Sequence, residues 1–335
     1  MAQQSTVFQL PSADSGPYGI ASGPDGNLWF TDIHQSQSRI GRITTGGAIT
    51  EFLLPAPFSG PLRIVVGPDG ALWFTESSVN RIGRITTSGT ISEFPTSSGT
   101  DPVDIVQGPD GNLWFTGQLS QRVVKMTTAG TIISEYAVPG GTAPGSLVTG
   151  PDGNIWFTGN RAPAIGRVTP AGIVTLYPLS TEPNFITNGP DGALWFTTLG
   201  NGVGRITVAG VITFYPVPAT GGVPYDIVTG PDGNLWITNF GRPLVTRLTP
   251  AGAAIVCPLP FPGTGIAVGA DGALWMTGSS FFSGILRFSV PAASAECDVP
   301  AAEIPTLSSD ALLALTMALL LVGLRWRASH PRRAG

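Results

Sequence analysis

The chain has 335 residues, of which only 11% are charged and 42% are hydrophobic, and its net charge is −4. An apolar fraction of this size is enough to form a core, which excludes an intrinsically disordered chain. The negative net charge argues against a protein that binds nucleic acid through a positive surface field.

One phrase, GPDGNLWFT, recurs seven times with small variations, first at Gly23 and last at Gly269. The spacing is about 40 residues, which is typical of one four-stranded propeller blade. Within the second copy, apolar segments at 64–66, 71–75, 81–86 and 90–94 have strand length, and Gly or Pro separates them. Each repeat is therefore predicted to form one blade of four strands.

The two ends of the array predict how the ring closes. The seventh repeat has no match to a fourth strand after 285–289, whereas the N-terminal Thr6–Pro11 matches Thr50–Pro55 of the first repeat. We expect the N-terminal strand to complete the last blade and remove its open edge. The prediction is an all-β, seven-bladed β-propeller over residues 5–290, a monomer, followed by a linker at 291–303.

Three residue types recur in every blade or in most blades. Pro-Asp-Gly is predicted to form a hairpin turn, because a single Asp per loop supplies too few oxygens for calcium. The tryptophan is predicted to pack between blades, as a wedge and not as a ligand platform. The arginines of the third strand form either a solvated strand face, which we favour, or a nucleic-acid stripe; they are Arg42, Arg84, Arg167, Arg205 and Arg247.

The C-terminal segment 304–335 has the features of a membrane anchor. An apolar stretch at 311–324 is followed by several arginines, which predicts a short transmembrane helix with the propeller outside the cytoplasm. The segment resembles the bacterial IPTL-type sorting signal, which implies a membrane sorting enzyme as a partner; its motif is Ile304, Pro305, Thr306 and Leu307.

An outside location requires export, yet residues 1–11 lack the basic and apolar regions of a signal peptide. We therefore expect a start site upstream or a trimmed sequence, with a propeller that stays in the cytoplasm as the alternative. Cys257 and Cys297 are the two cysteines, and they form either a disulfide, in keeping with an oxidising compartment, or two separate thiols.

The phrases GPDGNLWFT, NRIGRIT and ISEFP closely resemble the virginiamycin B lyase family, also called streptogramin B lyases, over residues 5–290. The resemblance implies a seven-bladed propeller whose active members open cyclic depsipeptide antibiotics by elimination, with a metal-assisted site at the mouth of the central channel. The family's two histidine positions hold Tyr225 and Thr264, and its two glutamate positions hold Pro262 and Ser279.

The base and the metal ligands that the resemblance implies are thus replaced. The only histidines, His34 and His330, lie elsewhere. No cofactor and no metal are expected, and magnesium enters only with the lyase alternative.

The heads of the seven innermost strands offer mixed polar and aromatic groups on a concave surface, which suits ligand or peptide binding. These candidate residues are Tyr18, Arg63, Asp104, Ser146, Asn184, Phe185, Tyr225, Asp226 and Thr264. The leading hypothesis is an exported, envelope-anchored, noncatalytic binding or scaffold module. The alternative is a lyase-type enzyme, or another elimination or hydrolysis that uses Asp104 and Asp226.

Overall fold

The computed structural model describes residues 5–12, 15–33, 37–200, 202–218, 222–278 and 282–290. They belong to one compact unit, Met1–Asp298, and the second unit, Val299–Gly335, lies wholly outside them. The predictions for the linker, the IPTL motif, the apolar helix 311–324, Cys297 and Ser279 therefore concern residues outside the described part. Within the described part, no helix combines the length and the apolar character needed to cross a membrane.

Seven antiparallel sheets of four strands make up the described chain. Blade 1 comprises β2 (Pro17–Ser22), β3 (Leu28–Asp32), β4 (Arg39–Ile43) and β5 (Ile49–Leu53). Blade 2 comprises β6 (Pro61–Val66), β7 (Leu72–Glu76), β8 (Arg81–Ile85) and β9 (Ile91–Pro95). A short 3-10 helix, Ser77–Val79, connects β7 to β8.

Blade 3 comprises β10 (Pro102–Gln107), β11 (Leu113–Gly117), β12 (Arg122–Met126) and β13 (Ile132–Ala137). Blade 4 comprises β14 (Ala143–Thr149), β15 (Ile155–Asn160), β16 (Ala164–Val168) and β17 (Val174–Pro178). Blade 5 comprises β18 (Pro183–Asn188), β19 (Leu194–Thr198), β20 (Gly202–Ile206) and β21 (Ile212–Pro216). Blade 6 comprises β22 (Val223–Thr229), β23 (Leu235–Phe240), β24 (Leu244–Leu248) and β25 (Ala254–Pro258).

The last blade is closed by the N-terminal strand, as predicted. Blade 7 comprises β26 (Gly263–Val268), β27 (Leu274–Gly278), β28 (Gly284–Phe288) and β1 (Ser5–Gln9). Strand β1 pairs with β28 over its whole length, from Ser5 opposite Phe288 to Gln9 opposite Gly284. The first and last strands of the described chain thus belong to one sheet, and their pairing closes the ring of blades.

The repeated tryptophans pack between neighbouring blades, which confirms their predicted role as wedges. Trp73 of blade 2 is fully buried and belongs to a cluster with Leu113 and Phe115 of blade 3. Its outer side stacks on Phe94 of its own blade, with ring centroids 5.4 Å apart. Equivalent tryptophans are completely buried in all seven blades, so each blade boundary contains one large apolar side chain.

The Pro-Asp-Gly turns have the predicted hairpin geometry and a second role. In blade 2, Gly70 has a φ of 72°, which a side chain would disfavour. The carboxylate of Asp69 also accepts a hydrogen bond from the indole nitrogen of Trp73 at 2.9 Å. The same indole-to-carboxylate bond occurs in every blade, so the turn also orients the tryptophan; the acceptors are Asp25, Asp69, Asp110, Asp152, Asp191, Asp232 and Asp271.

The third-strand arginines are not simply a solvated face. Arg84 lies over the ring of Trp73, and its Nε atom is 2.7 Å from Asp69. Arg205, Arg247 and Arg287 pair with the turn aspartates of their own blades in the same way. The prediction of a solvated strand face did not include these ion pairs, which form because the turn carboxylate lies opposite the third strand and attracts the guanidinium group.

These turns predict acid sensitivity. Burial raises the pKa of Asp110, but hydrogen bonds from Lys125, Trp114 and Asn112 outweigh this effect and lower the pKa to about 2. Because an unfolded aspartate has a pKa of about 3.9, the stabilisation is complete above that value and is lost as the pH falls towards 2.

We expect the urea midpoint to fall between about pH 5 and pH 2.5, and Asp110→Asn to reduce that slope. Asp101→Asn is the control. Burial raises the pKa of Asp101, so protonation of Asp101 favours the folded state as the pH falls. Removing this carboxyl should therefore make the urea midpoint fall more steeply with decreasing pH. An unchanged slope in Asp110→Asn would contradict this interpretation.

Cys257 is completely buried in β25. The choice between a disulfide to Cys297 and two separate thiols stays open, because Cys297 lies outside the described residues.

Candidate functional site

The first strand of each blade lines the central channel, because it contacts the first strands of both neighbouring blades. The pairing of each first strand with its second strand shifts register just after the strand begins. In blade 3 the shift falls between Pro102 and Ile105, and in blade 6 between Pro224 and Ile227. Two residues per blade therefore bulge out of the ladder at the channel mouth, and all nine predicted mouth residues lie at such bulge positions.

A ring of threonine hydroxyls holds these bulges in place. The hydroxyl of Thr116 accepts a hydrogen bond from the Asp104 N–H at 3.1 Å and donates one to the Gly145 carbonyl of the next blade at 2.8 Å. The ring closes where Thr277 donates to the Tyr18 carbonyl at 2.6 Å. Its members are fully buried and occupy one position in every second strand: Thr31, Thr75, Thr116, Thr158, Thr197, Thr238 and Thr277.

Sequence reasoning did not find this threonine ring. The signal was present, since the last letter of the repeated phrase is Thr in every copy. A β-branched residue is common in strands for packing reasons alone, which conceals a hydrogen-bonding role. Only the contact between consecutive blades reveals it.

An ion pair crosses the channel from blade 2 to blade 6. Arg63 binds Asp226 through both terminal nitrogens, at 2.8 Å and 3.1 Å, and its Nε atom lies 4.0 Å from Asp104. Burial alone would lower the pKa of Arg63, but Asp226 and Asp104 outweigh it, so the net pKa is raised. Arg63 therefore stays charged and is held by two carboxylates.

Both carboxylates are also occupied by backbone donors. Asp104 accepts the N–H groups of Ile105 and Leu147, each at 2.8 Å. Asp226 accepts those of Ile227 at 2.9 Å and Ile266 at 3.2 Å. Burial raises the pKa of Asp104, and the opposing attraction of Arg63 does not cancel this effect.

Aromatic rings surround the ion pair. The hydroxyls of Tyr18 and Tyr225 are 2.7 Å apart, and the Tyr225 ring meets Phe185 edge-on at 4.9 Å. The guanidinium of Arg63 lies 4.1 Å above the centre of the Phe185 ring. Phe240, which sequence reasoning missed, extends the aromatic surface, with its ring centroid 5.2 Å from that of Tyr225.

Seven of the nine predicted mouth residues thus form one connected group, which we call the mouth cluster: Tyr18, Arg63, Asp104, Ser146, Phe185, Tyr225 and Asp226. Ser146 belongs to it because its side chain hydrogen-bonds the Asp104 carboxylate, and it also accepts a long 3.5 Å bond from the Ile186 N–H. The other two have different surroundings. The Thr264 hydroxyl is buried and bonds to the Thr277 hydroxyl at 2.9 Å within its own blade, and the side-chain nitrogen of Asn184 is buried without a partner.

The two phenols of the mouth cluster are protonated at neutral pH. Burial raises the pKa of both Tyr18 and Tyr225, so these phenols stay protonated near neutral pH. In the described ranges, no three or more His, Cys, Asp or Glu side chains are grouped so that they could hold a metal ion. The positions where the resemblance expects histidine hold Tyr225, bonded to Tyr18, and Thr264, bonded into its blade.

Comparison with known proteins agrees with the fold. The model of the virginiamycin B lyase family matches residues 3–282. The chain belongs to the virginiamycin B lyase family. A streptogramin B lyase structure has 35% identity and a TM-score of 0.79, covering 85% of this chain and 97% of that one.

Virginiamycin B lyase from Staphylococcus aureus shares 33% identity and a TM-score of 0.80, and the match covers 86% of this chain and 99% of that one. A catalytically inactive histidine-to-alanine variant of the S. aureus protein, solved with quinupristin, matches equally well. A local match to virginiamycin B lyase of Saccharopolyspora erythraea has 44% identity over 54 residues, which is 15% of this chain and 17% of that protein. The whole-chain likeness to the family therefore rests on the family model and the solved structures.

Proposed function

We propose that this member of the virginiamycin B lyase family is a noncatalytic binding module whose ligand site is the channel mouth. The observation that supports the proposal is the mouth cluster itself. Its two carboxylates are taken up by Arg63 and by backbone N–H groups, and its two phenols bind each other. A general base needs an accessible lone pair, and the hydrogen bonds and the ion pair of the mouth cluster occupy the carboxylates that could provide one.

The chemistry of the mouth favours a ligand with flat, uncharged rings. The charged groups of the cluster already pair with each other, so a charged ligand would have to compete with Asp226 for Arg63. The half-buried rings of Tyr18 and Tyr225 offer an aromatic surface instead. Aromatic pairs add roughly 0.5–1.5 kcal/mol beyond area burial.

Binding is tested by a thermal-shift titration of the chain with a streptogramin B, the kind of ligand that the relatives' names indicate. We expect a saturable rise in melting temperature that Phe185→Leu abolishes. Phe214→Leu is the matched control, because Phe214 is 45% exposed on the outer strand of blade 5. No rise at saturating ligand, or the same rise in Phe185→Leu, would contradict a binding site at the mouth.

We further propose that the propeller is exported and held at the envelope by its C-terminal segment. The apolar stretch 311–324 and the arginines after it support this, as does the IPTL motif. Membrane fractionation of bacteria that produce the full chain, with and without residues 304–335, tests it. Protease added to intact spheroplasts should degrade the propeller, and complete protection would place it in the cytoplasm.

A further inference from the structure

The backbone carbonyls at the channel mouth are already occupied. In all seven blades the carbonyl of the first bulge residue accepts a hydrogen bond from a hydroxyl of the threonine ring, at 2.6–3.1 Å. Thr75, for example, donates to the Val103 carbonyl, and Thr197 donates to the Tyr225 carbonyl. These carbonyls therefore have a partner before any ligand arrives.

The carboxylates at the mouth are occupied as well. Asp226 accepts two hydrogen bonds from Arg63 and two from backbone N–H groups. That equals the roughly four lone-pair sites of an ionised carboxylate. Asp104 accepts two from backbone N–H groups and one from the Ser146 hydroxyl. A ligand that only donates hydrogen bonds would thus find these acceptors taken.

The phenols, by contrast, have a donor to spare. The Tyr18 and Tyr225 hydroxyls share one hydrogen bond of 2.7 Å, and no other hydrogen bond to either hydroxyl occurs within the described ranges. Each hydroxyl carries one proton, so whichever phenol donates, the proton of the other is left without an acceptor. Both tyrosines are only partly buried, so a molecule in the mouth can meet this pair.

Arg63 also has donors left over. Its bonds to Asp226 use two of the five N–H groups of an arginine side chain. Its Nε atom lies 4.0 Å from Asp104 Oδ1, which is longer than the roughly 2.7–3.2 Å of a hydrogen bond. The mouth cluster thus combines occupied acceptors with unused donors.

Building on the proposed binding function, we infer that the ligand of the mouth is a flat, uncharged ring compound with a carbonyl oxygen, and that the Tyr18–Tyr225 pair donates a hydrogen bond to that oxygen. The carbonyl would extend the hydrogen bond between the phenols into a chain, in which each bond strengthens the next. The rings of Phe185 and Phe240 lie against Tyr225 and offer the adjoining aromatic surface. A ligand without an acceptor would leave the spare donor unpaired, which weakens binding.

A phenol oxygen can also accept a hydrogen bond, so the competing explanation is a ligand that donates to the pair. The unused N–H groups of Arg63 argue against it, because they add donors and no acceptor to the same cluster. Water is the third candidate, and since it both donates and accepts, it would give no preference between the two kinds of ligand. The preference between an acceptor and a donor of similar shape therefore separates these explanations.

The test compares coumarin with indole by ligand-observed NMR titration of the full chain. Both probes are flat, uncharged and built from two fused rings. Coumarin has a carbonyl acceptor and no N–H or O–H group, whereas indole has an N–H donor and no carbonyl. One additional hydrogen bond predicts a dissociation constant about fivefold lower for coumarin. Equal dissociation constants, or tighter binding of indole, would overturn the inference.

The double variant Tyr18→Phe/Tyr225→Phe removes both hydroxyls and keeps both rings. We expect it to bind the two probes with dissociation constants within about twofold of each other. Tyr215→Phe is the matched control and should keep the coumarin preference, since Tyr215 lies in the outer strand of blade 5 and stacks on Trp195. An undiminished preference in the double variant would show that another group donates the bond, which contradicts the role of the phenol pair.

Phe185→Leu separates a failure of the carbonyl preference from a failure of the proposed function. If both probes bind equally and both bind more weakly to Phe185→Leu, the mouth binds ligands but does not select acceptors. If neither the probes nor a streptogramin B bind the unaltered chain, the proposed binding function fails, and the carbonyl preference fails with it.

Discussion

Replacing Arg63 with methionine is expected to lower the free energy of unfolding by about 3–5 kcal/mol, the cost of leaving a buried charge without its partner. Arg63 has a 14% exposed side chain, and both of its carboxylate partners are 9% exposed. In Arg63→Met, Asp226 and Asp104 would face each other across the channel without a cation. Urea unfolding followed by circular dichroism gives the value.

A double variant shows whether charge is the cause. Adding Asp226→Asn to Arg63→Met removes one uncompensated charge, so we expect part of the loss to be recovered. A loss of less than about 1 kcal/mol in Arg63→Met would mean that the pair behaves as a surface salt bridge, and that the mouth cluster is not a structural brace.

Replacing Thr116 with valine is expected to lower the free energy of unfolding by about 2–6 kcal/mol, because two buried backbone groups lose their partner at about 1–3 kcal/mol each. The change keeps the shape of the side chain but removes the bonds to the Asp104 N–H and the Gly145 carbonyl. Urea unfolding is again the measurement, and Thr116→Ser should retain most of the stability.

The matched control is Thr213→Val on the outer strand of blade 5. Thr213 is exposed, and valine is well suited to a strand. The substitution should therefore change the free energy of unfolding by less than about 0.5 kcal/mol. If Thr116→Val were as mild as this control, the threonine ring would contribute little to the joining of blades.

The blade count, the strand pattern and the closing strand could be predicted because each depends on a local pattern that repeats. Thr6–Pro11 could be matched to Thr50–Pro55 by its letters alone, and β1 indeed pairs with β28. The tryptophan wedge could be predicted for the same reason. What repeats with a fixed period must have the same surroundings in each blade.

The mouth cluster could be predicted only in part. The alignment of strand heads selected its members, but the partners of Arg63 could not be read from the sequence, because Asp226 is 163 residues away. Thr264 was selected by the same rule, yet its hydroxyl bonds within its blade. Which way a bulge residue points depends on its neighbours across the channel, and a repeat pattern does not contain that information.

The central claim is that the mouth of this propeller binds without catalysing, and a ring-opening assay tests it most directly. The purified chain is incubated with a streptogramin B and Mg²⁺ beside an active relative. Liquid chromatography with fragmentation mass spectrometry follows the reaction, since elimination leaves the mass of the linear product unchanged. We predict intact cyclic substrate at every time point with this chain. Accumulation of the linear isomer, abolished by Asp104→Asn or Asp226→Asn, would contradict the claim and establish the mouth as an active site.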